Sequence, residues 1–228
     1  LDVCPSGDAD HQTWVDALSI TTNWAKRCMK QYKETESING HRQILIPVVQ
    51  GGTDKNLRKQ SASELCELEA DAYAIGGLAV GESKSEMLET VEWMDEFLPK
   101  NKPRYLMGVG TPSDLVRNVA RGVDMFDCVM PTRLGRTGLA FTWRGRLNLK
   151  NSKYQKDDTP INKSTNLRHF DSYSKSYINH LINSNEILAS MILTMNNISF
   201  YQELMKKIRG AIKNNAFDDF YNKYINII

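Results

Sequence analysis

Nowhere in this 228-residue chain does an apolar run approach the roughly 18–20 residues that a bilayer-spanning helix needs. Cysteine is scarce and scattered: Cys4, Cys28, Cys66 and Cys128 include no C-x-x-C pair. Such spacing gives neither a disulfide framework nor a zinc knuckle, and it points to a reducing cytoplasm. A signal-peptide pattern is missing as well, since residues 1–10 are polar and hold three aspartates. There is no excess of one charge sign. With 29 basic and 27 acidic residues the formal net charge is +2, so any footprint for a polyanion must be local.

What remains is ordinary globular material, 41% hydrophobic and 25% charged. The length suits one large domain, or one domain with an appendage. Leu1 is not Met, and Leu1-Asp2-Val3-Cys4 reads as the end of a strand. The expectation is therefore a fragment whose N-terminal part is missing.

Short apolar runs that end in glycine or a polar residue recur through the first part of the chain. Ile44–Val49 precedes Gln50-Gly51-Gly52, and Ala72–Ile75 precedes Gly76-Gly77. Tyr105–Met107 precedes Gly108-Val109-Gly110, and Met125-Phe126 precedes Asp127. Helical periodicity lies between them. In Ser83–Leu98 the residues Met87, Val91, Met94 and Leu98 share one face, while Glu86, Glu89, Glu92 and Asp95 look elsewhere. Thr111-Pro112-Ser113-Asp114 is a helix start, with Thr111 as cap and Pro112 in the first turn. Alternating strands and helices imply parallel βα units. Both an open doubly wound sheet and a closed (β/α)8 barrel fit. Polar or glycine positions at nearly every strand end favour the barrel, whose C-terminal face carries the site. About five strand ends are visible.

The pattern changes after Cys128. Leu139–Trp143 and Arg146–Leu149 flank Arg144-Gly145 and predict a hairpin. From about Asp171 the chain reads as helices over Tyr173–Asn183, Glu186–Met195, Phe200–Ile212 and Phe217–Ile227. Three regions result: the barrel portion over 1–132, a basic insert with an adjoining subdomain remnant over 133–170, and C-terminal helices over 171–228.

The stretch from Val123 to Arg133 carries most of the functional information. Asp127 sits where a buried strand opens into a loop, and Arg133 through Lys156 contains no acidic residue. A strand-end carboxylate beside a cationic segment is a layout for covalent chemistry on a polyanion. By pattern alone, Asp127 serves equally well as a loop cap. Likewise Met107 could be core, and Gly76 and Gly77 could be turn glycines.

Taken in order, four segments resemble the signatures of the tRNA-guanine transglycosylase family. They are Gln50-Gly51-Gly52, Tyr73 through Glu82, Pro103 through Gly110, and Met125 through Arg133. The resemblance runs from Leu1 to the C-terminus and covers the later part of a full-length member. It implies a (β/α)8 barrel with a β-hairpin insert and a C-terminal helical subdomain. It also implies exchange of the wobble guanine of tRNAs with GUN anticodons for 7-aminomethyl-7-deazaguanine, a step of queuosine biosynthesis. Asp127 matches the family's nucleophile, which attacks C1′ of the ribose and forms a covalent intermediate. The chemistry is sound, because a carboxylate stabilises and traps oxocarbenium character, and two displacements keep the configuration.

The base pocket follows from the same resemblance. Asp2 matches the carboxylate that pairs with the amidine edge of guanine-like bases. Gln50 and the Gly77 N–H match the groups at the O6 side, with Gly76 and Leu78 beside them. Met107 matches the residue packed on one base face, and Gly108 leaves space there. Leu78-Ala79-Val80 and Cys4 resemble the bacterial version. Arg133 and Arg136 match positions that contact the anticodon loop. A homodimer is implied by analogy, and no membrane partner.

One departure is plain. Most family members carry a structural zinc whose ligand positions here are Thr165, Leu167, Phe170 and Asn196. These side chains cannot supply the thiolate and imidazole set, so no zinc and no other cofactor is expected. Ligand loss keeps an alternative open, a non-catalytic tRNA-binding or partner subunit. An unrelated barrel enzyme for phosphorylated metabolites fits less well, because Pro131-Thr132-Arg133 replaces a phosphate-binding glycine loop.

Overall fold

A computed structural model describes residues 1–35, 40, 41, 43–162 and 173–228. By contact the chain forms two compact units, Leu1–Val109 with Arg117–Asp127, and Gly110–Val116 with Cys128–Ile228. The first unit opens with helix α1 (His11–Glu34), started by Asp10, whose side chain accepts from the Thr13 N–H at 2.7 Å. The sequence reading named no helix there. Along the chain strand and helix then alternate: β1 (Val48–Val49), α2 (Lys55–Cys66), β2 (Tyr73–Ile75), α3 (Lys84–Phe97), β3 (Arg104–Leu106), α4 (Pro112–Val119, whose residues up to Val116 fall in the second unit) and β4 (Met125–Phe126). Helix α3 carries the expected face, and Ser83 closes a capping box with Glu86.

The four strands lie parallel in the order β1-β2-β3-β4. Sheet order follows chain order. Val49, Ile75, Leu106 and Phe126 form one row across the sheet. That row packs with Met29, Leu65, Met87, Val91 and Met94 from the helices into one apolar cluster.

Two expectations fail here. Leu1–Cys4 forms no strand; the Val3 N–H bonds the Thr21 hydroxyl of α1 at 2.9 Å instead of a neighbouring strand. The described residues therefore hold four parallel strands where about five strand ends were read.

The second unit contains α5 (Met130–Arg136), a hairpin of β5 (Leu139–Thr142) and β6 (Gly145–Asn148), and helices α6 (Lys175–Asn183), α7 (Ile187–Lys213) and α8 (Phe217–Tyr224). The predicted hairpin is present, with Leu139 opposite Asn148 and Thr142 opposite Gly145. The predicted break between Met195 and Phe200 is not, and α7 runs through it. Asn196 and Asn197, which look like loop residues in sequence, are buried inside that helix as a fastening point. Asn197 Nδ2 donates to the Pro131 and Leu139 carbonyls at 3.0 Å each, and its Oδ1 accepts from the Phe141 N–H at 2.9 Å. α5 lies close on α7, for a Cβ on Gly135 would sit 2.8 Å from the Thr194 backbone nitrogen. Among the described residues no helix is long and apolar enough to cross a membrane.

Candidate active site

Side chains alternate across a strand, so the face opposite the apolar row is fixed by parity. Val48, Ala74, Tyr105 and Met125 lie in register on that face. Two residues further along each strand come Gln50, Gly76, Met107 and Asp127. The ladder continues to that level, with the Gly76 N–H on the Val49 carbonyl at 3.0 Å and the Met107 N–H on the Ile75 carbonyl at 3.2 Å. Four residues named from sequence thus come from four successive strand ends and share one face.

Asp127 is exposed, and one of its oxygens is held by two donors. Oδ1 accepts from the Tyr105 hydroxyl at 2.7 Å and from the Gly108 N–H at 2.8 Å. Among the described residues Oδ2 accepts no hydrogen bond. Burial, together with the hydrogen bond to Asp127 and its charge, pushes the Tyr105 phenol up to about 12. Gly108 takes a φ of 72°, a conformation that suits glycine.

The Gln50 side chain is 1% exposed, and its Nε2 donates to Asp2 Oδ2 at 2.7 Å. Gln50 Oε1 is buried without a partner in this structure. Gly77, at φ 64°, is seated directly against it, where an added Cβ would overlap Oε1. A Cβ on Gly76 would lie 2.6 Å from Val48 Cγ1 and 2.9 Å from Gln50 Nε2. Both glycines therefore leave room for the Gln50 amide, which is more than a turn requires. Leu78 differs: its side chain is packed in the apolar cluster, so only its backbone is available to a ligand.

Three contributors escaped the sequence reading. Tyr105 looked like one more strand aromatic, although it has the same parity as Met107. Arg58 is completely buried, and its guanidinium donates to the carbonyls of Gly52 at 2.7 Å, Val49 at 2.9 Å and Gly77 at 3.3 Å. Burial pushes it down to about 10, opposed by the fields of Cys4 and Glu82. Nothing in a polar helix sequence signals an inward arginine. Glu82 accepts from the Ala79 and Val80 N–H groups and ties the loop after β2.

In the second unit, Arg133 and Arg136 sit on α5, one turn apart and exposed. Among the described residues neither forms an ion pair. Thr165, Leu167 and Phe170 lie outside the described residues. Asn196 has both ends committed: Nδ2 donates to the Phe141 carbonyl at 3.2 Å and Oδ1 accepts from Asn162 at 2.9 Å. The described residues contain no cluster of His, Cys, Asp and Glu that could hold a metal.

Residues 1–227 match the queuine tRNA-ribosyltransferase family. The chain belongs to that family. It is 44% identical over 230 residues to the queuine tRNA-ribosyltransferase of Halothermothrix orenii, covering 99% of this chain and 60% of that protein. The Agrobacterium fabrum relative of the same name is 44% identical over 225 residues, covering 99% and 58%. A third, from Caulobacter vibrioides, is 44% identical over 220 residues, covering 96% and 58%. The chain thus spans about 60% of the length of the curated relatives it matches.

Proposed function

We propose that this family member takes part in tRNA-guanine transglycosylation, with Asp127 as the nucleophile. The observation that carries the reading is the shared face. A carboxylate with one free oxygen stands at the same level as an amide, a glycine and a methionine. In the proposed complex Asp2 accepts from N1–H and the exocyclic amine of the purine. The second hydrogen of Gln50 Nε2 and the Gly77 N–H serve O6, and Met107 covers one base face. Asp127 Oδ2 bonds C1′ while the C1′–N9 electron pair leaves with guanine, which takes a proton from water. The incoming 7-aminomethyl-7-deazaguanine gives up its N9 proton, attacks C1′ and returns the electron pair to Asp127.

Other parts of the reading follow from family membership. The four parallel strands would form part of a closed (β/α)8 barrel. The partners would be the tRNA anticodon loop and a second copy of the chain, in the cytoplasm. A structural zinc does not fit the donor set: Asn196, the described ligand position, spends its amide on Phe141 and Asn162. No step depends on a metal.

The test uses residues 1–228 both alone and in place of the matching region of the Halothermothrix orenii relative. Each protein is incubated with an anticodon stem–loop RNA and run on a denaturing gel. A covalent adduct with the wild-type residues that vanishes in Asp127→Ala is expected. Adduct surviving in Asp127→Ala would refute the assignment, and a hybrid that binds RNA yet never forms adduct would favour the non-catalytic subunit.

A further inference from the structure

We propose that Tyr105 is a positioning residue that, with the Gly108 N–H, clamps Asp127 Oδ1 and makes this carboxylate a better leaving group than nucleophile. The inference rests on the transglycosylase reading of Asp127 and adds a division of labour between its two oxygens. Oδ1 is occupied by two donors, at 2.7 and 2.8 Å, so Oδ2 is the atom free to bond C1′.

A double displacement makes opposite demands on one carboxylate. In the first half the anion must attack; in the second it must depart from the same carbon. Hydrogen bonds to a carboxylate anion are stronger than those to an ester carbonyl, so donors on Oδ1 stabilise the free anion more than the ester. They therefore lower its driving force for attack and raise its ability to leave. They also fix the plane of the carboxylate, which favours attack through orientation. For the first step the two effects oppose each other, whereas for the second both favour departure. Tyr105 should therefore matter more to breakdown of the adduct than to its formation.

The geometry supports a dedicated role. Tyr105 lies directly one level below Met107 on the site face, and its row contains Val48, Ala74 and Met125, none of which could donate a hydrogen bond from its side chain. Gly108 comes from the loop that follows the same strand. One strand thus delivers both donors, and the next delivers the acceptor.

The experiment has two arms. In the first, the chain with ring-labelled tyrosine is titrated by NMR in the wild type and in Asp127→Asn. The Tyr105 phenol should fall from about 12 toward its ordinary value near 10 when the charge is removed. An unmoved titration overturns the clamp. In the second, Tyr105→Phe is placed in the hybrid protein, and adduct formation and base-driven adduct breakdown are timed separately. Breakdown should slow about tenfold while formation changes less than about threefold, so adduct accumulates. Equal losses in both steps, as a purely structural role would give, overturn the proposal. If the wild-type hybrid forms no adduct, the transglycosylase reading fails and the kinetic role of Tyr105 fails with it; the titration separately reports whether the clamp exists.

Discussion

At the scale of single residues, the site depends on a side chain that never faces the ligand. Arg58 binds three carbonyls, those of Val49 before Gln50, Gly52 after it, and Gly77. It therefore fixes the two segments between which the Gln50 amide lies. Arg58→Met fits the volume but leaves those carbonyls short of a donor. Hydrogen bonds from a charged group contribute about 1.5–3 kcal/mol each and are not additive, so a total loss of about 3 kcal/mol is expected. Urea unfolding of the variant measures it, and a loss below about 1 kcal/mol would show the guanidinium to be dispensable. Arg58 illustrates what sequence hides. Asp127, Gln50 and Gly77 drew notice because each stands at the end of an apolar run, and the family resemblance supplied their roles. Arg58 lies in a helix whose neighbours are Lys59, Gln60 and Lys55, and only the fold shows it pointing inward.

Elements were legible where one physical signal dominated. The three- and four-residue spacing of Met87, Val91, Met94 and Leu98 announced α3 and gave its buried face, and the structure adds the Ser83–Glu86 capping box. Strands β1 to β4 were found by composition, though their regular pairing is shorter than the apolar runs, only two or three residues each. The failure at α7 has a clear cause. Consecutive asparagines favour turns when their side chains have only local backbone to bond. Here Asn197 finds three backbone partners across α5 and β5, and Asn196 finds Phe141 and Asn162, so tertiary contacts override the local preference. The same arrangement bears on metal content. An amide already committed at both ends is a poor ligand, and threonine, leucine and phenylalanine offer no soft donor. Purified, tag-free protein should hold less than about one-tenth of an equivalent of zinc by elemental analysis. A full equivalent surviving dialysis against chelator would mean that other residues supply a site.

For the whole molecule, charge is almost balanced at +2, so the proposed affinity for RNA would have to come from where the cations lie. Seven of them fall between Arg133 and Lys156 with no acid among them, all within the second unit. Arg133 and Arg136 are exposed on α5, and Arg144 and Arg146 on the hairpin. Sequence alone made the run visible but gave only its order. The structure shows that its first two members share a helical turn, a spacing that suits two neighbouring phosphates. Each phosphate neutralised by a cation releases counterion, and for single strands the log–log salt slope changes by about 0.7 per contact. Binding of the anticodon stem–loop RNA to the hybrid, followed by fluorescence anisotropy over a salt series, counts those contacts. Arg133→Ala and Arg136→Ala should each flatten the slope by about 0.7, and the double variant by about 1.4. Lys30→Ala, exposed on α1 in the first unit, should leave it unchanged. Equal slopes for all four variants would place the RNA elsewhere. Weaker binding at an unaltered slope would instead mean that the arginines stack on bases and leave the phosphates alone, because stacking on a neutral ring displaces no counterion.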